Sequence, residues 1–201
     1  MTRVIVFDFD GTIVDSNSAK LNGMLNYFSK YLVNTGPIVE MYKEGASRLD
    51  IWDRFSYSNN LVNGSYVEFT KSIDDSVIKS EFFDCAIELL FMLQKKGYTL
   101  ILSSATPDES LIYITKAMGI SKYFKFIFGN GLKKIDRLLY IKNTISDNIT
   151  VIGDGEDDKN SAEGIAVKFI PVNEGRGVEK SSKVYTIREI YQLYMNYNKY
   201  V

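Results

Sequence analysis

Arg3-Val4-Ile5-Val6-Phe7-Asp8-Phe9-Asp10-Gly11-Thr12 is the stretch whose reading decides the fold. From residue 3 to residue 9 it is a β-branched and aromatic run, and Asp10-Gly11 breaks it, which predicts a buried strand ending in a turn. Working outward, similar runs recur at residues 98–102, 124–128, 149–152 and 166–170. Helical patterns lie between them at 86–95, 107–118, 134–145 and 157–163. Alternating strands and helices argue for an α/β fold, a Rossmann-like parallel sheet covered on both faces.

The pattern changes from about residue 17 to residue 80, where Leu21, Met24, Leu25, Phe28 and Leu32 fall at helical spacing and no buried strand is visible. Leu49, Trp52 and Phe55 continue that spacing, and Trp52 reads as core. Asn34-Thr35-Gly36-Pro37 and the Ser- and Asn-rich stretch 56–65 punctuate the block into several helices. The expected organisation is therefore a core of residues 1–16 and 81–201 and an all-helical insertion at 17–80, placed directly after the first strand. Ile187, Ile190, Tyr191 and Tyr194 predict a final packing helix.

Composition narrows the chemistry. The chain has 201 residues, 24 Lys plus Arg against 25 Asp plus Glu, one cysteine and no histidine. Without histidine there is no Ser-His-Asp triad and no His-ligated zinc or iron site, so proton transfer falls to Asp, Glu, Lys, Tyr or water. A single cysteine, Cys85, excludes an internal disulfide, and Phe91 stands where a Cys-x5-Arg phosphatase loop would need arginine. Cys85 reads as an apolar filler. A formal charge of -1 with no basic run argues against nucleic acid as a partner. Two acidic residues inside the apolar N-terminal run argue against a signal peptide or a membrane span, and a cytoplasmic location is expected.

Three groups stand at predicted strand ends: Asp8 to Thr12, Ser103-Ser104, and Gly153-Asp154-Gly155-Glu156-Asp157-Asp158. Carboxyl ends of parallel strands are where open α/β sheets bind ligands, and the fold can bring such ends into one crevice. Several carboxylates that close repel unless a cation lies among them, and an all-oxygen cluster suits Mg²⁺. A lone Asp-x-Asp also occurs in turns and in metal-binding glycosyltransferases, so it decides nothing by itself.

Taken together, these residues resemble the motifs of the haloacid dehalogenase superfamily of phosphohydrolases. The first motif, Asp-x-Asp-x-Thr, corresponds to Asp8-Phe9-Asp10-Gly11-Thr12, and the second, a Ser or Thr ending a hydrophobic strand, to Ser103. The third, a lysine opening a helix, corresponds to Lys134, with Lys133 as the alternative. The fourth, Gly-Asp-x3-Asp, corresponds to Gly153-Asp154 and Asp158. The helical insertion is similar to the small cap of the phosphoglycolate phosphatase and β-phosphoglucomutase branch.

The resemblance implies a Mg²⁺-dependent phosphatase working through an aspartyl phosphate, with a phosphomutase of the same fold as the alternative. Asp8 would be the nucleophile, and Asp10, two residues along the same face, first the acid and then the base. Mg²⁺ would be held by Asp8, the backbone carbonyl of Asp10, and Asp154, with Asp158 either ligating through water or orienting Lys134. The phosphoryl oxygens would meet Ser103, Lys134 and the amides of Gly11 and Thr12, with Ser104 as a neighbouring and more structural hydroxyl. Arg48 is the best substrate contact in the insertion. A phospho-acceptor signalling module is the rival from another class, but such modules lack a cap and a positioned acid/base beside the acceptor. A small phosphorylated metabolite is the expected partner, with the protein a monomer or small homo-oligomer.

Overall fold

The computed structural model describes residues 2–31, 34–58, 65–172 and 184–196. By contact density the chain divides into two compact units, one built from the residues up to Asp15 together with those from Glu81 on, the other from Ser16–Ser80.

The first unit is a parallel sheet. Strands β1 (Val4–Phe7), β2 (Thr99–Ser103), β3 (Phe126–Phe128), β4 (Ile149–Gly153) and β5 (Lys168–Pro171) lie in the order β3-β2-β1-β4-β5. Each neighbouring pair is parallel. All four residues of β1 are buried, as the run of apolar side chains on both faces requires. Val4 and Val6 share one face with Ile101, Ile149 and Val151. That face packs against Leu138 and Ile141 of helix α7 (Lys134–Thr144) and Ala162 of helix α8 (Glu156–Gly164). By alternation Ile5 and Phe7 face the opposite layer. Helix α5 (Ala86–Lys95) packs on β2 and on the C-terminal helix α9 (Ile187–Asn196). Helix α6 (Asp108–Ala117) lies against β3.

The second unit holds helices α1 (Asn17–Phe28), α2 (Gly36–Lys43), α3 (Arg48–Ser58) and α4 (Tyr66–Val77). Its core is aromatic: Phe28 and Phe69 rings lie 5.2 Å apart, and Trp52 and Phe69 rings 5.5 Å apart. The buried Tyr27 hydroxyl is satisfied by the backbone of Ser65, donating to its carbonyl at 3.1 Å and accepting from its amide at 2.8 Å. Rings of this size each bury a large apolar area, and Ile38, Ile51 and Ile73 are buried with them. Leu32 and the middle of the 56–65 stretch lie outside the described residues.

The 34–37 stretch lies at the boundary between α1 and α2, with Gly36-Pro37 as the first residues of α2, because proline at a helix start lacks only an amide that has no intrahelical partner there. One sequence expectation changes. Cys85 is only half-buried and precedes α5 in the left-handed region at φ 63°, so it is a helix-entry residue rather than core filler.

Candidate active site

Register assembles the site. In the sheet Phe7 pairs with Leu102 on one side and with Ile152 on the other. The next residue along each, Asp8 just past β1 and Ser103 and Gly153 at the last positions of β2 and β4, therefore stands at the same level, with Asp154 one step further on. Connections from β1 and β4 run to opposite sides, making their carboxyl ends the switch point where such sheets open a crevice. The Asp8 amide is held there by the Ile152 carbonyl at 2.9 Å.

Helices α7 and α8 add their first turns. Lys133 is extended and exposed, and the turn it makes leaves Lys134 as the first helical residue, buried, with its ammonium 3.1 Å from Asp8 Oδ1 and 2.6 Å from Asp158 Oδ1. Asp158 folds back over the start of α8 and its Oδ2 accepts the Gly155 amide at 3.3 Å. Only glycine fits at 153, where a Cβ would stand 2.3 Å from the Asp158 carboxyl carbon.

Asp8, Asp154 and Asp158 each offer an oxygen within 4.8 Å of the others. All three are more than nine-tenths buried. Burial pushes the Asp8 carboxyl well above the ordinary carboxylate range; Lys134 opposes the rise, and Asp158, Asp154 and Asp10 add to it. Asp154 is pushed up to about 6, by burial first and by Asp158 second. Asp158 is raised by burial against the pull of Lys134. For Lys134 burial works to lower the value, but the Asp8 and Asp158 charges overcome it and the ammonium stays charged. Three buried carboxylates thus share one ammonium. That imbalance, made of oxygen donors alone, is the chemistry of a hard divalent cation site.

Other predicted residues fall around this cluster. Ser103 is 1% exposed, and its hydroxyl is a buried polar atom with no hydrogen-bond partner among the described residues. The Thr12 hydroxyl donates to Asp154 Oδ1 at 3.4 Å. Asp10 is half-buried, and its Oδ2 accepts from the hydroxyls of Ser104 at 3.1 Å and Thr106 at 3.0 Å. Its side chain is thus no part of the carboxylate trio.

Two further predicted residues have partners of their own. The Gly11 amide donates to the Val14 carbonyl at 2.9 Å and closes the turn, where φ of +74° favours glycine. Arg48, in the helical unit, is buried and its guanidinium is 2.8 Å from Asp74.

Sequence reading missed two residues. Thr106 reads as an ordinary turn threonine, and only the fold of its loop brings the hydroxyl to Asp10. Arg137, buried one turn after Lys134, donates from one nitrogen to the carbonyls of Ser104 at 2.8 Å and Phe128 at 3.2 Å. Burial lowers its pKa. A buried arginine on a helix face was the available signal.

Comparison with known proteins agrees with this geometry. A family model described as haloacid dehalogenase-like hydrolase matches residues 5–172. A phosphoglycolate phosphatase from Pseudomonas fluorescens is 26% identical, the match covering 93% of this chain and 76% of that protein. A haloacid dehalogenase-like family hydrolase from Streptococcus pneumoniae superposes with a TM-score of 0.73 at 17% identity, over 96% of this chain and 98% of that one. A HAD-superfamily hydrolase from Geobacter sulfurreducens gives 0.69 at 18% identity, over 96% of each chain. With a parallel sheet, a helical insertion after β1 and a buried Asp cluster at the switch point, the chain belongs to the haloacid dehalogenase-like hydrolase family.

Proposed function

We propose that the protein is a Mg²⁺-dependent phosphatase that hydrolyses a small phosphorylated metabolite through an aspartyl phosphate on Asp8. The observation that carries this reading is the excess of buried carboxylate, Asp8, Asp154 and Asp158 against Lys134 alone, beside the buried, unpartnered hydroxyl of Ser103. The donor set fits the metal, being oxygen only, close-spaced and raised in pKa by burial and then by the neighbouring carboxylates. Mg²⁺ held by Asp8, Asp154 and the Asp10 carbonyl, with Asp158 beside them, would offset repulsion between the attacking carboxylate and a phosphate dianion.

The chain's own groups do the rest. An Asp8 oxygen attacks phosphorus in line with the leaving oxygen, which Asp10 protonates as it departs. Asp10, now ionised, takes a proton from the water that displaces Asp8 from phosphorus, restoring both carboxyl groups. The Lys134 ammonium and the Ser103 hydroxyl hold the phosphoryl oxygens while charge spreads over them. Asp158, 2.6 Å from the ammonium, keeps Lys134 aimed.

The substrate is a small polar ester, such as a sugar, short-alcohol or amino-alcohol phosphate. The match to a protein named phosphoglycolate phosphatase makes phosphoglycolate the first compound to try. Phosphate release from a panel of such esters, in Mg²⁺ and in chelator, tests the reading. Wild type should turn over at least one ester only with Mg²⁺, and Asp8→Asn none. Equal hydrolysis by Asp8→Asn, or an isomerised ester with no free phosphate, would contradict it; the latter outcome is that of a phosphomutase.

A further inference from the structure

Asp10 does not hang freely at the end of β1. Two hydroxyls donate to the same oxygen of its side chain, Oδ2, that of Ser104 at 3.1 Å and that of Thr106 at 3.0 Å. Ser104 is 0% and Thr106 2% exposed. The Ser104 hydroxyl also accepts the Thr106 amide at 3.1 Å, which leaves its own hydrogen directed at Asp10.

The loop that carries these hydroxyls is pinned on its backbone. The Ser104 amide donates to the Phe128 carbonyl at 3.0 Å, and the Ser104 carbonyl accepts from Arg137 at 2.8 Å. The Thr106 carbonyl accepts the Asn130 amide at 3.1 Å. Two residues two apart, each anchored through its backbone, thus converge on one carboxylate oxygen of a different strand. The terminal torsion of an aspartate is broad and nearly two-fold, so without such donors the plane of the Asp10 carboxyl would be loosely set.

We infer that Ser104 and Thr106 are positioning residues for the proton-transfer step, fixing Asp10 Oδ2 as a permanent acceptor so that Oδ1 carries the exchanged proton. The inference rests on the phosphatase reading above. In the first half-reaction the bond from Asp8 to phosphorus forms, the bond from phosphorus to the leaving oxygen breaks, and the proton on Asp10 Oδ1 moves to that oxygen. In the second, Asp10 Oδ1 takes a proton from water, the water oxygen bonds to phosphorus, and Asp8 leaves as a carboxylate. Oδ2 keeps its two donors throughout, so the carboxyl does not rotate between the steps.

A positioning role for an acid makes a prediction that a packing role does not. Protonation matters more as the leaving group becomes more basic, and kcat/KM reports only the steps through departure of that group. We would measure kcat/KM in Mg²⁺ for phosphoglycolate and for phenyl phosphates running from p-nitrophenyl to p-methoxyphenyl, with wild type, Thr106→Val, Thr106→Ser and Ser104→Ala. Thr106→Val keeps the shape and loses the hydroxyl. Its loss should be smallest for p-nitrophenyl phosphate and grow to about tenfold or more for the most basic leaving group, a share of the roughly 10²–10⁴-fold that a positioned acid contributes. Thr106→Ser should restore the wild-type dependence, and Ser104→Ala should show the same growing loss as the valine variant. A uniform loss across the series, or none, would overturn the assignment while leaving the phosphatase reading intact. Should the valine variant fail to fold, as judged by its thermal melt, the slope of Ser104→Ala decides. A wild-type protein inert toward every ester in Mg²⁺ would instead overturn the phosphatase reading, and this inference with it.

Discussion

In the helical unit Arg48 and Asp74 meet at 2.8 Å, both buried, one charge of each sign. At the carboxyl ends of β1 and β4, equally buried, three carboxylates share the single ammonium of Lys134. The first arrangement is balanced in charge. The second is not, and burial first, with the neighbouring carboxylates adding to it, raises the pKa of Asp8, Asp154 and Asp158. A fold that balances buried charge in one unit and leaves it unbalanced in the other marks the second place as one where a ligand supplies what is missing. Beside the carboxylates the Ser103 hydroxyl is buried with no hydrogen-bond partner among the described residues.

The contrast can be broken at either end. The largest effect is expected from Asp8→Asn, which should lower turnover by more than about 10⁴-fold, on the scale of removing a nucleophile, while the protein still melts cooperatively. Steady-state phosphate release with a parallel melt checks both halves. Next, Asp74→Ala should destabilise by about 3–5 kcal/mol, because it strands a buried guanidinium. In chelator Asp154→Asn should cost nothing and raise the melting point, since one repelling charge is gone. Equal destabilisation by the two variants in denaturant titrations would erase the distinction between the units.

Smaller still, Lys134→Ala should cost roughly 2.7–4 kcal/mol of transition-state stabilisation, by analogy with loss of one oxyanion donor. Lys133→Ala, at an exposed position, should cost far less. The smallest effect is a pH dependence without metal. Asp154 is held near 6 in the folded state against 3.8 for an ordinary aspartate, so between those values the folded chain binds protons that the unfolded chain has released. Stability is then greatest at the acid end of that window and falls as pH rises through about 6. Asp8 and Asp158, also raised, act in the same direction. In chelator the melting temperature should therefore fall between about pH 5 and 7, and Mg²⁺ should flatten the slope. A slope of the opposite sign would show that the carboxylates are not the uncompensated groups.

Much of this arrangement is legible in the sequence for a physical reason. Strands buried on both faces have to be apolar throughout, so β1, β2 and β4 stand out as runs, and the first polar residue after each is the one at the crevice: Asp8, Ser103-Ser104 and Asp154. Lys134 is legible because a lysine opening an amphipathic helix is unusual in a buried place, yet its choice over Lys133 needed the turn geometry. The use of Gly11 was not legible, since which amide a tight turn consumes depends on where Val14 returns. Thr106 was not legible either, because its partner lies 96 residues away in the chain. The partner of Arg48 was not legible either, because Asp74 lies on the next helix, α4, 26 residues on.

Completion of the carboxylate cluster by a divalent cation has a direct signature in thermal melts of wild type and Asp154→Asn, each in chelator and in millimolar Mg²⁺ at pH 7. A cation binding the folded state alone at about 100 times its Kd adds roughly 2.7 kcal/mol. For a chain of this size that is a rise of several degrees, at about 2–4 °C per kcal/mol. The account predicts that rise in wild type and its loss in Asp154→Asn. A wild-type melt that Mg²⁺ does not move, or an Asp154→Asn protein that keeps the full shift, would contradict it.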